Sequence, residues 1–320
     1  MNNKVFGIVI MFSLMLLLVA CTSSEKTEVR EDNGKLTIYT TIYPLSYFTE
    51  RIGDDFVSVK NMVPPGSDAH TVEITTKTMT KVAESDAFIH TGTGLEAFAD
   101  AIEDTLKNED VLIINSTENI SLISSNEKDS HNEEEKEEEH DEHAETSDID
   151  PHVWLDPKRS IQIAENIKNA LIELNPENKE IFESNFSTLK QELEDLNSDF
   201  ENMVNKSKNK AFVVSHSAYG YWEDAYGLNQ ISISGLSPTD EPSQKQLTEI
   251  IDLVKENNLQ YIFFEQNLTN KIAEIIRIET GTDALTLHNL ESISDENKKK
   301  NEDYFVIMRK NIKALEKALN

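Results

Sequence analysis

The sequence predicts an α/β protein made of two similar halves, each with a four-stranded parallel sheet, joined by one long helix. Short apolar runs rich in β-branched residues alternate with amphipathic segments, which is the pattern of β-α units around a parallel sheet. These runs form two groups of four. Between the groups lies a segment whose apolar residues recur every three or four positions, the spacing of one continuous helix face.

The first half, residues 36–177, is expected to contain four strands and three helices. The apolar runs predict strands at 36–42, 58–63, 86–91 and 111–115. Helical spacing of apolar residues predicts helices at 45–52, 75–83 and 95–104.

The joining helix is predicted over residues 178–207, with a length of about 45 Å. Its apolar stripe consists of Phe182, Phe186, Leu189, Leu193, Leu196, Phe200 and Met203. One strand of a coiled coil is the alternative, because the stripe lasts about four heptads. A helix that joins two lobes agrees better with the α/β halves on either side.

The second half, residues 208–320, repeats the pattern of the first. Strands are predicted at 211–215, 230–234, 261–265 and 284–287, and helices at 218–226, 243–257, 270–280 and 303–319.

The N-terminus has the layout of a secretory signal. One Lys precedes an apolar run from Val5 to Ala20, which is short for a membrane span. The letters LVAC resemble a lipobox, in which the chain is cut before the Cys and its thiol carries lipid. We therefore expect a signal peptide over 1–20, a lipid on Cys21 and a polar tether over 21–35; an uncleaved anchor or a soluble secreted protein is the alternative. Cys21 is the only cysteine in the sequence, which rules out an intrachain disulfide.

Charge is strongly acidic, with a formal net charge of −29. Such a chain repels a phosphate backbone, which argues against a nucleic-acid partner and favours a cationic ligand. Much of the charge lies between Glu127 and Asp150, where no apolar residue occurs from Lys128 to His143. Because like charges repel and little can be buried, we expect a disordered surface insertion over 126–149.

Four side chains able to bind metal follow strands or rigid turns. His70 ends VPPGSDAH, His152 lies in DPHVWLDP, His216 ends AFVVSH, and Glu291 lies in LHNLES. Ligands of parallel α/β sheets bind beyond the carboxyl ends of the strands, where loops converge. Three imidazoles and one carboxylate make a four-coordinate set that suits zinc.

Other residues compete for these positions. A single His after a strand is usually a hydrogen-bonded or surface residue, so the prediction depends on three of them in comparable places. His90 in FIHTGTG and His288 are the alternative imidazoles, and His90 is expected to line the cleft. Glu265, at the end of the seventh strand, is the alternative carboxylate.

The motifs VPPGSDAH, DPHVWLDP, VSHSAYGYW and LHNLES, in this order, resemble the zinc and manganese ABC-transporter solute-binding lipoproteins (cluster A-I), zinc-type members in particular. The resemblance runs from Leu36 to the C-terminus. It implies two (β/α)4 lobes joined by a rigid helix, with one metal between them held by His70, His152, His216 and Glu291. Two departures, Ala69 and Ile74, stand where the family often has Pro.

The resemblance also implies a function. It predicts an extracytoplasmic Zn2+-binding protein, monomeric and lipid-anchored on a Gram-positive bacterial cell, which serves an ABC permease and its ATPase. Mn2+ is the alternative cargo, but manganese-type relatives have Glu at the third position, where this chain has His216; imidazole favours zinc. The acidic tract resembles the family's His-rich loop, and His131, His140 and His143 are candidates for auxiliary metal capture.

Two further functions are less consistent with the sequence. A zinc hydrolase needs an open coordination position and a general base; HExxH is absent, and His140 and His143 lie in a segment not expected to form a helix. An adhesin would be expected to carry adhesive repeats or a wall anchor, which the sequence does not show.

Since imidazole ligands must be neutral to bind, zinc affinity is expected to fall below about pH 6.

Overall fold

A computed structural model describes residues 34–124, 149–266 and 270–320 and confirms the predicted fold class. It contains two four-stranded parallel sheets with helices packed on them. The predicted signal peptide, the lipidation site Cys21 and nearly all of the tether lie outside the described residues. Among the residues described, no helix is long and apolar enough to cross a membrane.

The first sheet has the strand order β2-β1-β3-β4. Its strands are β1 (Leu36–Thr40), β2 (Val57–Asn61), β3 (Ala87–His90) and β4 (Leu112–Asn115). Its helices are α1 (Tyr43–Gly53), α2 (Thr76–Ala83) and α3 (Ala99–Leu106). All three pairings are parallel, so the carboxyl ends of the strands meet at one edge of the sheet.

Helix α3 begins four residues later than the sequence suggested. Gly92 and Gly94 have φ of 73° and 80°, so the chain makes a loop before the helix. The buried Glu96 side chain stabilises this loop by accepting hydrogen bonds from the hydroxyls of Thr41 and Thr91. The acidic side chain that resembled a helix residue therefore belongs to the loop.

Two helices connect the sheets, and the sequence analysis identified only the second. Helix α4 (Pro157–Leu174) was not predicted. Its signals are nevertheless ordinary: the Asp156 side chain caps it by accepting from the N–H of Lys158 at 2.9 Å, and Pro157 occupies its first turn. Helix α5 (Lys179–Lys206) has 28 residues and lies within the segment 178–207 for which the joining helix was predicted. Its stripe faces the core as expected, except that Phe186 is only partly buried.

The second sheet has the order β6-β5-β7-β8, which repeats the order of the first. Its strands are β5 (Ala211–His216), β6 (Asn229–Ser234), β7 (Tyr261–Glu265) and β8 (Asp283–Leu287). Its helices are α6 (Gly220–Tyr226), α7 (Gln244–Glu256), α8 (Lys271–Thr280), α9 (Asp295–Lys299) and α10 (Tyr304–Ala318). The short α9 was not predicted.

The largest hydrophobic cluster contains residues from both halves, including Trp154 and Trp222. Several hydrogen bonds cross between the halves here. The Trp222 indole donates to the carbonyl of Leu155 at 2.8 Å, the Tyr304 hydroxyl to that of Trp154 at 2.7 Å, and the Trp154 indole to that of Asn289 at 2.7 Å. The indole and phenol groups thus bury their rings and still satisfy their donors.

Residues 125–148 of the acidic insertion lie outside the described part of the chain. Its predicted carboxyl-terminal end was wrong, because Ile149 and Asp150 are part of the fold. Ile149 forms an antiparallel bridge with Ser124, and the N–H of Asp150 donates to the carbonyl of Ile123 at 3.0 Å. Asp150 is buried, with 3% of its surface exposed.

Candidate metal centre

His70 is positioned by the loop that follows β2. The chain turns at Gly66, which has a φ of 74°. Two residues before the histidine, the carboxylate of Asp68 accepts a hydrogen bond from the backbone N–H of His70 at 3.0 Å. This turn holds the backbone while the His70 side chain, 11% exposed, points into the protein.

His152 is the most completely enclosed of the histidines in the centre, with no exposed surface. It directly precedes a 3-10 turn at Val153–Leu155. One oxygen of Asp150 lies 3.0 Å from the His152 backbone N and 2.9 Å from its ring Nδ1. Because this carboxylate accepts the proton on Nδ1, the lone pair of the neutral ring is on Nε2.

His216 is the last residue of β5, and Glu265 is the last residue of the neighbouring strand β7. The Glu265 carboxylate is in direct contact with Nδ1 of His216, and both side chains are buried. As at His152, a carboxylate on Nδ1 leaves Nε2 as the free nitrogen.

Glu291 follows β8 in a turn with an unusual backbone. Leu290 has a φ of 65°, which costs energy for a residue with a branched side chain. The turn is stabilised because the N–H of Leu290 donates to Nδ1 of His288 at 2.9 Å. Glu291 accepts two hydrogen bonds from backbone N–H groups of the first half. Its Oε2 accepts from the N–H of Ala69 at 3.1 Å, and its carbonyl oxygen accepts from the N–H of Tyr43 at 3.0 Å.

The four predicted side chains His70, His152, His216 and Glu291 converge on one point. One possible ligand atom from each lies within 4.8 Å of the others. Nε2 of all three histidines is buried and has no hydrogen-bond partner. Glu291 Oε1 lies 3.5 Å from Nε2 of His70 and 3.6 Å from that of His152. Ligand atoms of a tetrahedral zinc with bonds near 2.1 Å are separated by about 3.4 Å, so the arrangement fits this ion.

Electrostatics favour a cation at this point. Burial alone would lower the pKa of His152, but contacts with Asp150 and Glu291 outweigh it and raise that pKa from 6.5 to about 9. Burial likewise would raise the pKa of Glu291, but its contacts with His152 and His70 hold that pKa well below its usual value. In the metal-free protein a proton therefore supplies the positive charge that the carboxylates require.

The competing residues stand elsewhere in the structure. His90 is buried with its ring parallel to that of Phe88 at 5.4 Å between centroids, outside the group of four. Burial lowers the pKa of His288 to about 4, and its Nδ1 is occupied by the N–H of Leu290. Glu265 contacts the outer nitrogen of His216 rather than the shared point. His131, His140 and His143 lie outside the described residues.

Two polar residues of the centre were not predicted from the sequence. Asp150 had no assigned role, because it directly follows the predicted insertion over 126–149, although its spacing of two residues before His152 is a detectable signal. Asn289 had no assignment; its side-chain amide donates to Glu265 at 3.0 Å and to Glu291 at 2.9 Å.

Comparison with known proteins places these features in context. Residues 38–318 match the sequence model of the family described as zinc-uptake complex component A, periplasmic, or ZnuA. The zinc-binding lipoprotein AdcA of Streptococcus pneumoniae is 34% identical over 300 residues, which are 94% of this chain and 58% of that protein. The chain thus spans little more than half the length of the AdcA relatives.

Other relatives match over their whole length. The high-affinity zinc uptake system protein ZnuA of Bacillus subtilis is 32% identical over 320 residues, covering 100% of this chain and 99% of that protein. Among solved structures, the Zn(II)-bound ZnuA-like domain of Streptococcus pneumoniae AdcA is 33% identical with a TM-score of 0.74, covering 89% of this chain and 99% of that domain.

Proposed function

Because the chain belongs to the family of zinc-uptake complex component A proteins, we propose that it captures Zn2+ outside the cytoplasm and delivers it to an ABC importer. Its work is binding and release of a cargo ion, not catalysis. The observation that carries this proposal is the convergence of three unpartnered Nε2 atoms and one carboxylate within 4.8 Å. Buried polar atoms without partners are costly, and a bound cation satisfies all of them at once.

His70, His152, His216 and Glu291 are the proposed ligands. The first two belong to the first half of the chain and the last two to the second, so a bound ion links both halves. Three nitrogens and one oxygen suit zinc better than manganese, which prefers carboxylate, carbonyl and water oxygens. The Zn(II)-bound domain among the similar structures supports the same choice.

The remaining assignments extend this proposal. A permease and its ATPase are the expected partners, since ligand capture without transport would serve no uptake. The names of the relatives, a lipoprotein and a periplasmic component, support a location outside the cytoplasm. We propose a lipid anchor on Cys21 of a Gram-positive cell and a monomeric state, and auxiliary capture of zinc by His131, His140 and His143. We also propose the division into lobes at 36–177 and 208–320 with the joining segment 178–207.

Metal analysis followed by competition titration tests the function. Protein purified without added metal is analysed for bound ions, stripped, and titrated with Zn2+ and Mn2+ against a chelator of known affinity. One tight zinc site per chain, with zinc preferred over manganese, is the expected result. A preference for manganese would make this chain a manganese-binding member, and weak binding of both ions would contradict the proposal.

A further inference from the structure

Asn289 lies between the two buried carboxylates of the second half and donates to both. Its Nδ2 is 3.0 Å from Oε2 of Glu265 and 2.9 Å from Oε1 of Glu291. Its Oδ1 accepts from the backbone N–H of Glu291 at 3.2 Å. Since the amide group has two N–H donors, both are used on acidic side chains, and rotation of the amide would break both contacts.

Glu265 and Glu291 differ in what they face, although both are close to the metal centre. Glu291 Oε1 faces the unpartnered nitrogens of His70 and His152. Glu265 contacts Nδ1 of His216, which leaves Nε2 of that ring as the nitrogen available to an ion. Only 8% of Glu265 and 1% of Glu291 is exposed, so solvent does little to screen either carboxylate from a nearby cation.

We propose that Asn289 is a positioning residue that sets the metal preference of the centre. It holds Glu265 in contact with Nδ1 of His216 and leaves Glu291 as the single carboxylate ligand. This inference rests on the proposed zinc-binding function and deepens it. With Asn289 in place the ion receives three nitrogens and one oxygen, which is a tetrahedral zinc set.

Loss of the Asn289 amide frees Oε2 of Glu265 and removes one hydrogen bond to Oε1 of Glu291. A freed Glu265 adds an oxygen ligand to the ion, and the coordination number rises. Oxygen-rich sites with higher coordination suit manganese. The same movement removes the carboxylate from Nδ1 of His216, which weakens that imidazole as a zinc ligand. Both effects lower the preference for zinc.

The test compares Asn289→Ala with Asn197→Ala in the full chain. Asn197 is a matched control on α5, because its amide also donates to a carboxylate, Oε1 of Glu201 at 2.9 Å. Zn2+ and Mn2+ affinities are measured by chelator competition. Co2+ is used as a probe, because four-coordinate Co2+ absorbs visible light much more strongly than six-coordinate Co2+.

We expect Asn289→Ala to lose about 10- to 100-fold in zinc affinity, the range for loss of a ligand's hydrogen-bond partner. Its manganese affinity falls less or rises, and its Co2+ absorption weakens. Adding Glu265→Gln to this variant restores the strong Co2+ absorption, because the freed carboxylate is then gone. Asn197→Ala behaves as the unchanged protein does.

Asn289→Asp is the second variant, because it keeps the size of the side chain and removes the N–H donors. It decides the question if Asn289→Ala does not fold. Unchanged zinc affinity, zinc-to-manganese ratio and Co2+ spectrum would overturn the proposal, and so would a loss of affinity with an unchanged ratio and spectrum. Failure of the unchanged protein to bind zinc would instead contradict the proposed function.

Discussion

Zinc binding near neutral pH should release a proton from His152. The pKa of this ring in the metal-free protein is raised to about 9, because contacts with Asp150 and Glu291 outweigh the effect of burial. A zinc ligand must be neutral on the coordinating nitrogen. At pH 7 the ring is therefore almost fully protonated before zinc binds and must lose its proton when zinc binds.

The size of the effect follows from the distance between pH and pKa. At pH 7, two units below a pKa of about 9, deprotonation of His152 costs about 3 kcal/mol, or roughly 100-fold in zinc affinity. The sign is fixed because the proton and the ion compete for one nitrogen. Zinc affinity should thus rise about tenfold per pH unit from 7 to 9 through this ring alone. As the pH is lowered, the loss of affinity should therefore begin near pH 9, well above the pH of about 6 expected from an unperturbed imidazole.

Calorimetry measures this directly. Zinc is titrated into the stripped protein at pH 7 in buffers with different ionisation enthalpies, and the slope of the observed enthalpy gives the number of protons released. We expect about one proton to be released from His152 per zinc ion at pH 7, and close to none well above pH 9. Asp150→Asn is the informative variant, because it removes one of the two carboxylates that raise the pKa of His152, so less proton release is expected at pH 7. A slope of zero for the unchanged protein at pH 7 would refute the reasoning.

Three further outcomes are expected. His216→Ala should weaken zinc binding by more than the roughly 10- to 100-fold that loss of a ligand's hydrogen-bond partner costs, with an unchanged circular dichroism spectrum; retained tight binding in the chelator assay would remove His216 from the centre. Deletion of residues 127–148 should leave one tight zinc site in calorimetry and remove only weaker ones, and loss of the tight phase would place the main site in that segment. Leu193→Ala, at a fully buried position of α5, should lower the free energy of unfolding by about 2–5 kcal/mol in urea, whereas Lys190→Ala on its exposed face should change it little.

Much of this fold is predictable because strands and turns leave local signals. The seventh strand was predicted with its observed bounds, Tyr261–Glu265, since a short apolar run is enclosed by polar turns. Helix α4 was missed although its Asp156-Pro157 start is local too. The late start of α3 was not predictable in the same way, because Glu96 leaves the helix for partners that only the folded loop supplies.

The metal centre was also predictable only where its residues leave local signals in the sequence. The three histidines could be proposed from residue type and position after strands or turns. Glu291 was chosen over Glu265 through the family resemblance and not through local sequence signals, because both follow strands and both are acidic. Only side-chain orientation separates them: one faces the free nitrogens and the other the far side of His216. The role of Asn289 could not be predicted for the same reason, because its contacts depend on the orientation of both Glu265 and Glu291.

The bridge between Ser124 and Ile149 joins the two residues that flank the undescribed part of the acidic insertion. The described parts of the chain on either side of the insertion are therefore held together at one place. His152, three residues beyond, is fixed by Asp150 and not by what precedes the bridge. We therefore expect that the length and composition of the segment between these two residues can change without moving the centre, so that residues 127–148 can be exchanged for a fluorescent or affinity tag.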